Sequence, residues 1–167
     1  MITEPKLTHR PAQHYAVIRF KAPIPFGDLV QPAHEEVLTW LKTKGLAPSG
    51  APIIRYLTTD MSTKLDLEIG WPVAELVESD ERVNCITLPG GRYAVISYFG
   101  PYEGDGLYKA NGALIEWAEK NNISWSKVIM DGEEWWDARF ESYETDPGEE
   151  PDPQKWQTDV VFLTTEL

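Results

Sequence analysis

The chain repeats itself, and this constrains its fold more than any other feature. Tyr15-Ala16-Val17-Ile18 recurs as Tyr93-Ala94-Val95-Ile96, and Gly27-Asp28 recurs as Gly104-Asp105. An apolar stripe at helical spacing returns with them: Val30, Ala33, Val37, Trp40 and Leu46 match Leu107, Ala110, Leu114, Trp117 and Ile123. Gly45 stands where a left-handed helix cap is expected, and its match is Asn122, the second-best residue for that conformation. Agreement over apolar spacing, a Trp and both helix ends marks an internal duplication.

Each copy reads β-α-β-β. Residues 14–20 are β-branched and aromatic, a strand by composition. A helix is expected from Gly27-Asp28, with Asp28 at or near its N-cap. Residues 52–57 form a second strand, and Thr58-Thr59-Asp60 turns the chain. Residues 64–73 then alternate Leu65, Leu67, Ile69 and Trp71 against Asp66, Glu68 and Gly70, the pattern of a half-buried strand. The polar, acidic stretch 74–84 reads as a linker. In the second copy, the strand over residues 92–99 follows the Pro89-Gly90-Gly91 turn, and a later strand ends at Asp146-Pro147. Residues 148–153 make an acidic, Pro-rich loop before the last strand. Matching Leu57-Thr58-Thr59-Asp60 to Tyr143-Glu144-Thr145-Asp146 implies an insertion in the second copy and sets Arg55 opposite Glu141. The last strands match Glu68 with Asp159 and Trp71 with Phe162.

Three strands and one helix cannot close a core alone, because the sheet face away from the helix stays open. Two copies related by a pseudo-two-fold can pack side by side. The expected fold is therefore α+β: two β-α-β-β repeats, a mainly antiparallel sheet, helices on the outer face, and a concave groove between the repeats where the open sheet surfaces meet. One domain is expected over 1–167, with repeat one at about 12–73, the linker at about 74–84 and repeat two at about 85–165. A groove between repeats is a usual place for a small-molecule site.

Charge and composition narrow the partners. A net charge of −12 disfavours a nucleic-acid backbone, whose affinity rests on Lys and Arg, and suits a cationic ligand. Seven Trp, seven Tyr and five Phe give more flat aromatic surface than a core of this size needs. The single Cys85 excludes an internal disulfide and fits a reducing compartment, as a buried, inert thiol at a strand start. Neither a signal peptide nor an apolar run of the ~18 residues of a membrane span is present, so a cytoplasmic protein is expected. His9, His14 and His34 make no metal set, there is no Cys-x-x-Cys, and no Gly-x-Ser-x-Gly marks a nucleophile. No metal and no organic cofactor are expected.

The chemistry concentrates in one strand, Arg139-Phe140-Glu141-Ser142-Tyr143. Alternation sends Arg139, Glu141 and Tyr143 to one face and Phe140 to the other. A carboxylate in an aromatic groove protonates, pairs, or waits for a cation. Arg55 or Arg139 would neutralise Glu141 by an ion pair. A planar cation would instead gain charge pairing with Glu141 and cation–π contact with Trp71, Tyr98 or Tyr143, at ~0.5–2 kcal/mol per ring. Of Trp135-Trp136, one ring faces the groove and one the helix layer, which makes Trp136 a candidate wall; Tyr102, in the Gly100-Pro101-Tyr102 turn, is a candidate rim residue. Arg55 and Glu68 complete the candidate ligand-binding set.

Several stretches together resemble the GyrI-like small-molecule-binding domains, which also occur as effector-binding halves of AraC-type and MerR-type multidrug regulators and are related in architecture to SOUL haem-binding-like proteins. They are Leu88-Pro89-Gly90-Gly91-Arg92-Tyr93-Ala94-Val95, Phe99-Gly100-Pro101-Tyr102-Glu103, Phe140-Glu141-Ser142-Tyr143-Glu144-Thr145-Asp146-Pro147 and Trp156-Gln157-Thr158-Asp159-Val160. The resemblance covers nearly the whole chain. It implies two β-α-β-β repeats around an aromatic groove that takes lipophilic, often cationic, planar compounds. The family's central glutamate falls on Glu141, its partner tyrosine on Tyr143, and a groove tryptophan on Trp71. The first function it implies is binding and sequestration of such compounds. The second is hydrolysis of electrophilic, cyclopropane-containing compounds, with Glu141 as general base and Tyr143 protonating or polarising the electrophile. The third is inhibition of a DNA-handling enzyme such as gyrase through a protein contact. The first strand begins near His14 with no helix-turn-helix before it, so direct DNA reading is not expected.

Overall fold

In the computed structural model, which describes residues 1–59 and 64–165, the described residues form ten strands and two α-helices. They are β1 (Lys6–Arg10), β2 (Gln13–Pro23), α1 (Gly27–Thr43), β3 (Ile53–Tyr56), β4 (Lys64–Val73), β5 (Asn84–Leu88), β6 (Gly91–Phe99), α2 (Gly106–Lys120), β7 (Lys127–Met130), β8 (Glu133–Trp136), β9 (Arg139–Tyr143) and β10 (Gln157–Leu163). Asp60, expected in a turn, lies outside the described residues.

Eight strands form one sheet in the order β1-β6-β10-β9-β3-β4-β2-β5, every neighbouring pair antiparallel. Read from its centre outward, the order is the same for both halves: β3 and β9, β4 and β10, β2 and β6, then an edge strand. The α+β class, the two repeats and their pseudo-two-fold all hold. The edge strands are exchanged. β1 precedes the first repeat but pairs with β6 of the second, while β5 precedes the second and pairs with β2 of the first. The exchange ties each repeat to the other through backbone hydrogen bonds.

Both helices close as their sequences direct. Gly45 lies at φ 70°, its N–H bonds Lys42 O at 3.0 Å, and the Leu46 N–H bonds Leu41 O at 3.0 Å. Asn122 repeats this at φ 55°, with the Ile123 N–H on Ala118 O at 2.9 Å. These paired bonds satisfy the last helical carbonyls, and Gly and Asn are the residues that most readily take the left-handed conformation at a helix end. Asp28 falls in the first turn of α1 rather than at its cap, which is Phe26. The insertion in the second copy is the β7–β8 hairpin, turned by Asp131-Gly132 with φ of 53° and 79°. Two left-handed residues match the right-handed twist of the flanking strands.

α1 packs on β2 and β4, where Val37 and Leu41 meet Ala16 and Ile18; α2 packs on β6 and β10, where Ala110 and Leu114 meet Ala94, Ile96, Val160 and Phe162. The seam between the repeats, β3 against β9, therefore lies beneath the gap between the helices. On the other face, Tyr15, Val17, Ile53, Tyr93, Val95, Phe140 and Val161 form one core drawn from both repeats. The sheet curls around that core as a half-barrel. The groove between the repeats thus opens on the helix face, not on the face away from the helices, because the latter buries its apolar surface upon itself.

Candidate functional site

β3 and β9 floor a cleft of about 1640 Å³ between the helices. The strands supply Ile54, Tyr56, Arg139, Glu141 and Tyr143; α1 supplies Val30 and His34, α2 supplies Leu107 and Asn111. Trp71 and Tyr102 form walls. The cleft inherits the pseudo-symmetry of the chain, since the helix alignment matches Val30 with Leu107 and His34 with Asn111.

Glu141 sits at the centre of the floor, 5% exposed. Its Oε1 accepts hydrogen bonds from the Tyr56 hydroxyl at 2.7 Å and the Tyr143 hydroxyl at 2.9 Å, and its Oε2 accepts from Asn111 Nδ2 at 3.1 Å. Asn111 is oriented by a second bond from the same amide to Leu107 O at 2.8 Å. All three donors are neutral. Among the described residues, no Lys, Arg or His nitrogen lies within ion-pair distance of Glu141. Neither of the alternative ion pairs, with Arg55 or with Arg139, is formed. Burial first, then the neighbouring Glu141 charge, pushes the Tyr56 and Tyr143 phenols well above 10, so both keep their protons and serve as donors.

The walls are aromatic and fixed. Trp71 Nε1 donates to His34 O at 2.8 Å, clamping β4 to α1. The His34 ring meets Trp71 and Tyr143 edge-on, at centroid distances of 5.8 and 6.3 Å. His34 Nε2 donates to Ile53 O at 2.9 Å, which fixes the tautomer, and burial lowers its pKa below 6.5. Tyr102 donates to Thr145 O at 2.5 Å and packs between Tyr143, which it meets edge-on at 5.3 Å, and Trp156, tilted at 5.0 Å. Asp28, Glu35, Glu103, Glu144 and Asp146 also line the cleft, against Lys109 and Arg139 as the cations among its described lining residues.

Of the residues expected at the site, Glu141, Tyr143, Trp71 and Tyr102 come together in the cleft. Four do not. Arg55 and Glu68 point to the opposite face, where Arg55 Nη1 pairs with Glu68 Oε1 at 2.6 Å and Arg55 Nη2 donates to Asp137 O at 2.7 Å. The cause is a one-residue slip in the expected alignment of the repeats. The strand registers make Ile54, not Arg55, the counterpart of Glu141, and Tyr56 the counterpart of Tyr143. A slip of one residue transfers a side chain to the other face. Tyr98 lies on the helix face but is buried under the start of α2, its hydroxyl on Pro101 O at 3.2 Å, where Gly106 leaves room for the ring. Trp136 packs into the second repeat's core against Trp125 and Phe162, its Nε1 donating to Thr59 Oγ1 at 3.3 Å. Cys85 is half-buried, and burial raises its thiol pKa.

Sequence reasoning missed three lining residues that carry polar contacts: Tyr56, Asn111 and His34. The helix alignment already paired His34 with Asn111, the polar neighbours of matching stripes, and a register one residue along would have found Tyr56. Among the described residues, no three His, Cys, Asp or Glu side chains are grouped to hold a metal.

A duplicated half-barrel with a wide cleft over its seam defines a small-molecule-binding domain. The chain belongs to the GyrI-like family: the profile of the GyrI-like small molecule binding domain matches residues 3–163. No curated protein is recognisably similar to it in sequence. Among solved structures, the EcmrR C-terminal domain superposes with a TM-score of 0.70 at 18% identity, over 98% of each chain. EcmrR in its complex with DNA gives 0.75 at 20% identity over 98% of this chain, which spans 58% of that longer chain. SAV2435 bound to tetraphenylphosphonium gives 0.61 at 13% identity, over 98% of this chain and 94% of that one. At these identities the likenesses establish the fold.

Proposed function

We propose that this domain binds and sequesters lipophilic, planar aromatic cations in the cleft over the β3–β9 seam. The observation that carries the reading is Glu141: an enclosed carboxylate held only by neutral donors on the floor of a large aromatic cleft. A buried charge without a counter-charge is costly, and a cation entering the cleft would remove that cost. Tyr56, Trp71, Tyr102 and Tyr143 offer rings for cation–π contact, and the acidic lining draws cations inward. SAV2435, which shares the fold, was solved with tetraphenylphosphonium. The small-molecule chemistry favours holding over turnover, because Tyr143 already donates to Glu141 and its raised pKa makes it a poor acid towards an electrophile. Titration with a lipophilic cationic dye is expected to quench Trp fluorescence to a one-to-one end point. Glu141→Gln should weaken that binding about ten-fold, the ~1.4 kcal/mol of one charge contact. Equal binding by both proteins would remove Glu141 from the role, and dye-like electrophiles consumed by substoichiometric protein would replace sequestration with hydrolysis.

A further inference from the structure

β9 presents two opposite charges to the cleft, and they are kept apart. Arg139 and Glu141 share a strand face, about 7 Å apart at their Cα atoms, yet form no ion pair with each other. Each has its own clamp. Glu141 is held by Tyr56, Tyr143 and Asn111. The Arg139 guanidinium carbon lies 4.5 Å from the Trp136 ring centroid and 4.2 Å from that of Phe162. Stacking of this kind fixes the guanidinium plane and leaves its fork of N–H donors at the edge. None of those donors has a side-chain or backbone acceptor among the described residues, and Nε is buried without any partner. Burial lowers the pKa of Arg139 to about 10, partly offset by Tyr56 and then Glu141, so it remains a cation at neutral pH.

A half-buried cation whose Nε is buried without a partner is unfavourable unless something else satisfies it, and its Nη donors remain open to solvent and to a ligand. Elsewhere this chain neutralises a half-buried arginine directly, as Arg55 shows with Glu68 and Asp137 O, although its Nε too is buried without a partner; what sets Arg139 apart is that it has no ion pair at all among the described residues. The pseudo-symmetric counterparts of Arg139 and Glu141 are Pro52 and Ile54. Both charges therefore come from β9, and the matching positions of β3 are apolar. A simple lipophilic cation would satisfy Glu141 and leave Arg139 with a like charge nearby.

We propose that Arg139 is a second ligand anchor, taking a carboxylate on the same molecule whose cationic end meets Glu141. The ligand class is then planar aromatic zwitterions that carry a carboxylate, rather than lipophilic cations in general. This rests on the cleft being the binding site.

Two dyes separate the ideas: a rhodamine methyl ester, which is a cation only, and its free acid, which carries the same cationic ring system plus a carboxylate. Fluorescence anisotropy at pH 7.5 would give both affinities for wild type, Arg139→Gln, Arg139→Lys and Glu141→Gln. Wild type is expected to bind the acid about ten-fold more tightly than the ester. Arg139→Gln should lose that preference while binding the ester as well or better, Arg139→Lys should keep part of it, and Glu141→Gln should weaken both dyes. If Arg139→Gln does not fold, the Arg139→Lys ratio decides alone, and a ratio unchanged from wild type overturns the proposal. Equal affinity of wild type for the two dyes, or an equal loss of both in Arg139→Gln, also overturns it. If neither dye binds wild type, the cleft-binding reading itself fails, and this inference with it.

Discussion

The two faces of the central sheet each hold a buried acid and a half-buried arginine, and they treat them in opposite ways. On the curled face, Glu68 is 6% exposed and joined to Arg55 at 2.6 Å. On the helix face, Glu141 is 5% exposed and Arg139 is close by, yet tyrosines and an amide hold one while aromatic rings hold the other. The first arrangement neutralises charge within the fold. The second keeps two charges available to whatever enters the cleft. The difference lies in competing partners: three neutral donors occupy Glu141, and the stack of Trp136 and Phe162 fixes the guanidinium away from it. A buried charge is therefore no sign of function by itself; what matters is which groups satisfy it.

The comparison can be broken most strongly at Arg55. Arg55→Met strands Glu68 without its cation and should cost about 3–5 kcal/mol of stability in urea denaturation. Arg139→Met should leave stability within about 1 kcal/mol of wild type, because no ion partner is stranded and the stacked volume is kept. Similar losses in both variants would mean that the two faces are not different. Next in size is Glu141→Gln, whose ten-fold loss of dye affinity should come with a stability change below about 1 kcal/mol, since an amide oxygen still accepts from the tyrosines. Tyr56→Phe should follow, weakening dye binding by less than Glu141→Gln because Tyr143 and Asn111 still hold the carboxylate; isothermal titration would rank the two variants.

The smallest effect is a pH dependence from His34. Its folded pKa is depressed, so the folded protein favours the neutral ring. That contribution is complete above the unfolded value near 6.5 and is lost as the pH falls through it towards the folded pKa. Melting temperatures should drop between pH 7.5 and 5.5, and His34→Gln should flatten that part of the profile. An unchanged slope in the variant would assign the dependence to the carboxylates instead.

Much of this was legible in the chain. Periodicity gave both helices and their buried stripes, Gly45 and Asn122 gave both helix ends, and alternation put Glu141 and Tyr143 on one strand face. The second copy's insertion was legible only as an insertion; that it is a hairpin turned at Asp131-Gly132 came from the structure. Strand register was not legible. Arg55 and Tyr56 are neighbours, and only the hydrogen-bonded pairing of β3 with β4 and β9 decides which of them faces the cleft. Tyr98 shows the same limit, since its face was readable but the helix end that covers it was not.

The sequence by itself determined a duplicated α+β chain with acid and phenol on a common strand face, because those properties repeat over short, local spacings. The tertiary structure decided which face of the sheet is open, that the edge strands are exchanged between repeats, and that Glu141 goes unpaired while Glu68 does not. These depend on contacts between residues far apart in the chain, whose geometry no local period records.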